Sequence, residues 1–232
     1  MTEIGRVSGV FFEPGKVFAD LAQKPRWIVP VVIMILLGLA SVYVISTHVG
    51  WDTVVRIQLN SSSRTADLTA DQKEQAIERG AKIGSVIGWV AAVLGPPLFI
   101  LIVAGVLTGL FNALIGTDLT FSQMFSITAY AFMVRALFSI LLTLIIYLKP
   151  AEDFNIQTSP FSLAILLNKQ ETPKWLFALA GSLDLFAIWL VVLLALGFSV
   201  AARKLSFGKA LIGVAIPWLV IVAATVVLQS FS

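Results

Sequence analysis

Arg135 is the one charge in AYAFMVRALFSILL, residues 129–142, a stretch otherwise suited to hydrocarbon. A guanidinium there demands an acceptor, because an unpaired Arg or Asp at mid-span costs about 2.5–3.5 kcal/mol on insertion-derived scales. The other charge deep in an apolar run is Asp184, in AGSLDLFAIW. Together the two could form a fixed structural ion pair, or they could line a polar cavity or a substrate or proton path. Thr128, Ser139 and Thr143 share a side of the helix with Arg135. Their spacings of seven, four and four residues make a drifting polar stripe.

Whether the charges meet depends on depth. Asp184 lies nine residues past Trp175, about 13 Å below the outer end of its helix, and Arg135 lies about 20 Å below its own, if the two helices are antiparallel neighbours. The remaining gap of about 6 Å is within an arginine's reach, although helical side chains lean toward their own N-termini and these two lean apart. Gly181 and Ser182 allow close helix approach there.

Other chemistry finds little footing. The chain has no cysteine and a single histidine, His48. Disulfides, thiolate metal sites and cysteine nucleophiles are therefore excluded, and most zinc schemes with them. His48 and Asp52 read as a polar pair at the end of the first span rather than as metal ligands. GVFFEPGK fails as a phosphate loop on spacing, on the residue after Lys16 and on the missing strand. Asn60-Ser61-Ser62 fits a glycosylation sequon. No cofactor, catalytic or metal set stands out, and nothing points to nucleic acid.

The elements that must carry Arg135 and Asp184 follow from composition. Of 232 residues, 58% are hydrophobic and 12% charged, with a mean hydropathy of +0.94. Soluble domains have about 45–50% apolar and about 25% charged residues. An all-α polytopic membrane protein of one domain is expected, with spans near 27–47, 83–115, 121–148, 175–202 and 210–228. The first apolar run lacks a cleavage site and reads as a retained span. Trp27, Trp51 and Trp175 fall at span ends, as headgroup anchors do. Pro96 and Pro97 should kink the second span and Pro217 the fifth. Gly105 and Gly109, with Asn112 following, make a small-residue face for helix packing or a dimer seam.

Outside the spans, Glu13–Arg26 reads as an interfacial helix within a cytoplasmic segment 1–26, with Val17, Phe18 and Leu21 toward the leaflet. Leu68–Lys82 opens with a Thr69-to-Gln72 capping box and reads as a polar helix leading into the second span. Ser159–Lys169 is too short to span, and should lie at the outer interface or re-enter partway. The densest basic segments hold Arg6, Lys16, Lys24 and Arg26 at the start and Arg203, Lys204 and Lys209 in the fourth loop. That density places the N-terminus in the cytoplasm and the C-terminus outside.

Four segments resemble the YIP family of Ypt/Rab-interacting membrane proteins in its bacterial form. They are EPGKVFADLAQKPRWIVPV, LTADQKEQ, LIGTDLTFSQMFSITAYAFMVRALFSILL and LDLFAIWLVVLLALGFSVAARKLSFGKALIGV, in the expected order over most of the chain. The resemblance implies five helices, a cytoplasmic N-terminus and a C-terminus across the membrane. It also implies an aspartate at the place of Asp184. Eukaryotic members are associated with Rab GTPases and vesicle traffic. This chain has a short N-terminal region and lacks their aspartate-leucine-tyrosine-glycine-proline signature, which argues against GTPase binding.

The expectation is an integral protein of the bacterial inner membrane, non-catalytic, organising lipid or recruiting partners. Those partners are the bilayer, further copies of itself or other membrane proteins. The alternative is a transporter, channel or lipid-translocating protein working through the Arg135/Asp184 stripe.

Overall fold

In the computed structural model the described residues are 1–60, 69–150, 159–168, 170–202 and 204–230, and among them every regular element is a helix. Two short helices open the chain. Helix α1 (Glu3–Phe12) starts at Thr2, whose hydroxyl accepts from the Gly5 amide, and α2 (Pro14–Gln23) begins with its proline in the first turn, where no amide is needed. They fold back on each other, so that Gly9 lies against Val17 closely enough that a Cβ there would stand 2.8 Å from a valine methyl.

Helix α3 (Ile28–Val44) and a π-helical turn, Ile45–Val49, form the first apolar stretch. Helix α4 (Trp51–Asn60) then runs along the beginning of α5 (Ala70–Leu110), a helix of 41 residues. The Trp51 ring covers Gly84 and Gly88; a Cβ on Gly88 would meet it at 2.5 Å. The expected capping box is present: the Thr69 hydroxyl accepts from the Gln72 amide and the Gln72 side chain from the Thr69 amide. Helix α6 (Phe121–Ala131) and α7 (Met133–Leu148) follow, then α8 (Lys174–Ser182), α9 (Leu185–Ala201) and α10 (Phe207–Ser230).

Four stretches are long and apolar enough to cross a bilayer: Ile28–Val49, Ala70–Ala113, Phe121–Leu148 and Phe207–Ser230; Leu185–Ala201 is shorter but equally apolar in character. Their outward residues, Val86, Ile87 and Ile102 on α5 and Ile216, Val220 and Ile221 on α10 among them, are more than half exposed. In water such surface would drive association, whereas here it is what lipid covers. The core lies where α2, α6 and α9 meet, around Phe18, Leu21, Ile127, Tyr130 and Phe198, all fully buried. The chain is an all-α polytopic membrane protein.

Several elements differ from the sequence reading. The segment 175–202 is two helices rather than one span, because Leu183 and Asp184 adopt extended backbone that pairs with residues 161–163. Val17, Phe18 and Leu21 do not face a leaflet; the interfacial role given to Glu13–Arg26 fails because α9 and α6 cover that face. Helices α1 and α4 were not anticipated. Helical structure continues through Pro96, Pro97 and Pro217.

Candidate functional site

The third apolar stretch is interrupted at Phe132, where the Arg135 amide donates to the Phe132 carbonyl at 2.8 Å and the Ala136 amide shares it at 3.3 Å. This tightened turn of three-residue closure joins α6 to α7 and sets the direction in which Arg135 leaves its helix. Asp184 is held by a different device. It is the N-cap of α9, its Oδ1 accepting from the Ala187 amide at 2.8 Å. Oδ2 lies 3.5 Å from Arg135 Nη1. The geometry thus brings together the two charges that spacing alone placed about 6 Å apart along the normal.

The break beside Asp184 is closed by backbone. The Leu163 amide donates to the Leu183 carbonyl at 3.2 Å and the Leu185 amide to the Phe161 carbonyl at 3.3 Å. Irregular backbone at membrane depth is tolerated only when buried in protein or lining water. Ser159–Leu167 therefore packs beside Asp184, and a 3₁₀ turn, Leu163–Leu166, presents Leu163, Ile165 and Leu166 outward. Lys169 lies outside the described residues.

Aromatic rings wall the pair. Phe138, Phe161 and Phe186 have mutual centroid distances of 5.1–5.5 Å in edge-on arrangements. The Arg135 guanidinium carbon stands 4.2 Å from the Phe138 centroid, a cation–π contact strengthened by removal from water. Asp184 is 14% exposed and Arg135 36%. Both Asp184 oxygens are engaged, one by a helix end and one by a cation.

The polar stripe separates into two. Ser139 and Thr143 meet Ser41 of α3: the Ser41 hydroxyl lies 3.2 Å from that of Ser139 and 2.6 Å from that of Thr143, and also donates to the Leu37 carbonyl. Thr128 is fully buried and bonds its own helix, donating to the Met124 carbonyl at 2.8 Å. The hydroxyls therefore close on partners within the chain. The Ser126 hydroxyl is the buried side-chain group without a partner among the described residues.

Gly105 and Gly109 are not at a helix seam within the chain, since a Cβ on either meets nothing within 4 Å. Asn112 instead pins the loop after α5, donating to the Leu119 carbonyl and accepting from the Thr117 hydroxyl. His48 reaches the Lys149 carbonyl at 2.8 Å, joining the ends of the first and third apolar stretches. Among the described residues no three His, Asp or Glu side chains cluster as metal ligands.

A second charged cluster was missed in the sequence. Arg6, 2% exposed, bonds Asp20 across the α1–α2 hairpin, Glu3 within α1 and the Lys24 carbonyl. Glu3 in turn accepts from the Tyr130 hydroxyl at 2.6 Å. Gln123, the capping residue of α6, donates to the Ala22 carbonyl. The available signal was the phenol of Tyr130, five residues before Arg135 in an apolar run, which needs a partner when buried.

No curated protein and no solved structure matches this chain. The family model described as Yip1 domain matches residues 8–228, which takes in the end of α1, all of α2, the segment Ser159–Leu167 and the five apolar stretches, the last of them up to Leu228. A match over that length, on an all-α membrane fold, leaves one conclusion: the chain belongs to the YIP family of membrane proteins.

Proposed function

We propose that this protein is a non-catalytic organiser of the bacterial inner membrane, acting on lipid arrangement or recruiting other membrane proteins, itself included. The observation that carries this reading is the way the intramembrane charges are spent. Arg135 is answered by Asp184 and Phe138, and Asp184 also caps α9. Groups committed to holding helices together are poor carriers of a moving ion. The density of Lys and Arg at the start of the chain supports a cytoplasmic N-terminus.

Transport remains the second reading, favoured by one feature. The fourth apolar segment is discontinuous at Asp184, and broken helices near mid-membrane form the binding sites of many transporters.

Reconstitution in liposomes separates the two. An organiser changes lipid order or vesicle size, keeps that effect in Arg135→Lys, and loses it when Phe18→Ala loosens the hairpin. If folded Arg135→Lys loses all effect while Phe18→Ala keeps it, the transport reading replaces this one.

A further inference from the structure

The depth reached by the α1–α2 hairpin has a chemical cost at its tip. Phe18 lies beside Gly197, where a Cβ would stand 3.2 Å from the phenyl ring, and Phe11 meets Trp189 with ring centroids 6.0 Å apart. Gly197 and Trp189 are eight residues apart on α9, about 12 Å along its axis. The hairpin therefore follows α9 inward for most of its own length. Its open end is level with the start of the third apolar stretch, where Gln123 holds the Ala22 carbonyl and Trp27 packs on Phe125 at 5.3 Å. Its tip, Phe12 to Gly15, lies at the other, deeper end, next to Phe11 and Trp189.

That tip is outward-facing and charged. Phe12 is 84% exposed, as suits lipid, but Glu13 and Lys16 are 53% and 71% exposed and paired at 2.7 Å. Lys16 stands in the first turn of α2, whose N-terminal end is the deep end, so its side chain leans inward rather than back toward the near surface. It cannot snorkel to the headgroups, so water and headgroups must come to it. A carboxylate and an ammonium side by side also match the opposite charges of a phosphate-amine headgroup.

We propose that the α1–α2 hairpin is a re-entrant insert whose tip, Glu13 and Lys16, draws water and phospholipid headgroups about 10 Å into the leaflet it enters, thinning the bilayer beside α9. This rests on the membrane-organiser reading and supplies its physical means. On the opposite side, Ser159–Leu167 packs beside Asp184, five residues before Trp189, so the two segments approach within about 8 Å along α9.

The absence of cysteine makes the test clean. A side chain at Gly15, Gly105 or Gly208 meets nothing within 4 Å, so a cysteine at each leaves the packing intact. In vesicles, Gly15→Cys should react with a charged, membrane-impermeant maleimide within about tenfold of Gly208→Cys in the first turn of α10, and about a hundredfold faster than lipid-facing Gly105→Cys, whose thiolate is suppressed by its apolar surroundings. A bimane on Gly15→Cys should also be quenched by phospholipids bearing a nitroxide at mid-chain, showing that the wet site lies within the bilayer. In the Glu13→Leu, Lys16→Leu background the maleimide rate should fall about tenfold.

Three results overturn the proposal: a Gly15→Cys rate as slow as that of Gly105→Cys, no quenching by chain-labelled lipid, or a rate indifferent to the double leucine change. None requires the protein to reorganise vesicles. A wet, inserted tip without any change in lipid order would instead count against the organiser reading alone.

Discussion

Arg6 and Asp20 face each other across the α1–α2 hairpin, with Arg6 Nε donating to Asp20 Oδ2 at 2.7 Å and the arginine almost wholly enclosed. The contact joins two ten-residue helices that would be too short to persist alone in water, where about 12–15 residues are needed. Removing Asp20 leaves Arg6 with only Glu3 and the Lys24 carbonyl. Asp20→Ala should cost about 1–3 kcal/mol of hairpin docking, as losing hydrogen bonds to a charged group does. Limited proteolysis would show it as cleavage within residues 1–24 while the remaining helices stay protected. Uncut hairpin in the variant would show that apolar packing of Phe18 and Leu21 suffices.

The same pair predicts a pH dependence. The amino group of Met1, 2.9 Å from Oδ1, and then Arg6 hold the Asp20 carboxyl below its ordinary range, against the opposing effect of burial. A lowered folded-state value means that the stabilisation is complete above the unfolded-chain value of about 3.9 and is lost as pH falls through the folded one. Hairpin protection should be constant from neutral pH down to about 4 and decline only below it. Loss of protection nearer neutrality would place the sensitive group elsewhere.

Arg135 and Asp184 are predicted to be coupled. In a double-mutant cycle read by thermal stability in detergent, Arg135→Ala and Asp184→Ala should interact by about 0.5–3 kcal/mol, the range for residues in contact. Asp184→Ala should be the worse single change because it also removes the cap of α9. Asp184→Asn separates the two roles: asparagine caps nearly as well as aspartate but cannot complete the ion pair. Strict additivity would show that the two charges do not act as a pair.

Glycines should divide by position. A Cβ on Gly197 collides with an Ile127 methyl and crowds Phe18, so Gly197→Ala should destabilise by about 1–3 kcal/mol. Gly105→Ala and Gly109→Ala, with open space around each, should be close to neutral in the monomer. If instead those two changes destabilise, a second copy packs on α5, and the loss should weaken with dilution in detergent.

Much of the fold was legible in hydropathy, and its limits have physical causes. Apolar runs, the Thr69–Gln72 box and the approach of Arg135 to Asp184 follow from composition, capping chemistry and helical rise. Periodicity does not say whether an apolar face meets lipid or protein, since both are equally dry. That is why Val17, Phe18 and Leu21 were assigned to a leaflet when they fill the core. The break at Leu183–Asp184 carries no proline, and it arises from pairing with Phe161 and Leu163, some twenty residues earlier. Gly105 and Gly109 had the spacing of a seam, but the glycine that admits a neighbour is Gly197. Arg6 was counted as one more positive charge near the membrane because its partner Asp20 lies on another helix, and the Tyr130 that joins the cluster through Glu3 is distant in sequence.

The Glu3–Tyr130 bond joins residues 127 positions apart, and α2 rests on α9, near the far end of the chain. During synthesis the hairpin leaves the ribosome well before the surfaces that receive it are made. Until Leu185–Ala201 has entered the bilayer, Phe18 and Leu21 have no groove and Arg6 no enclosure. Residues made before α6 and α9 thus settle only after them, and their docking reports that both helices have arrived.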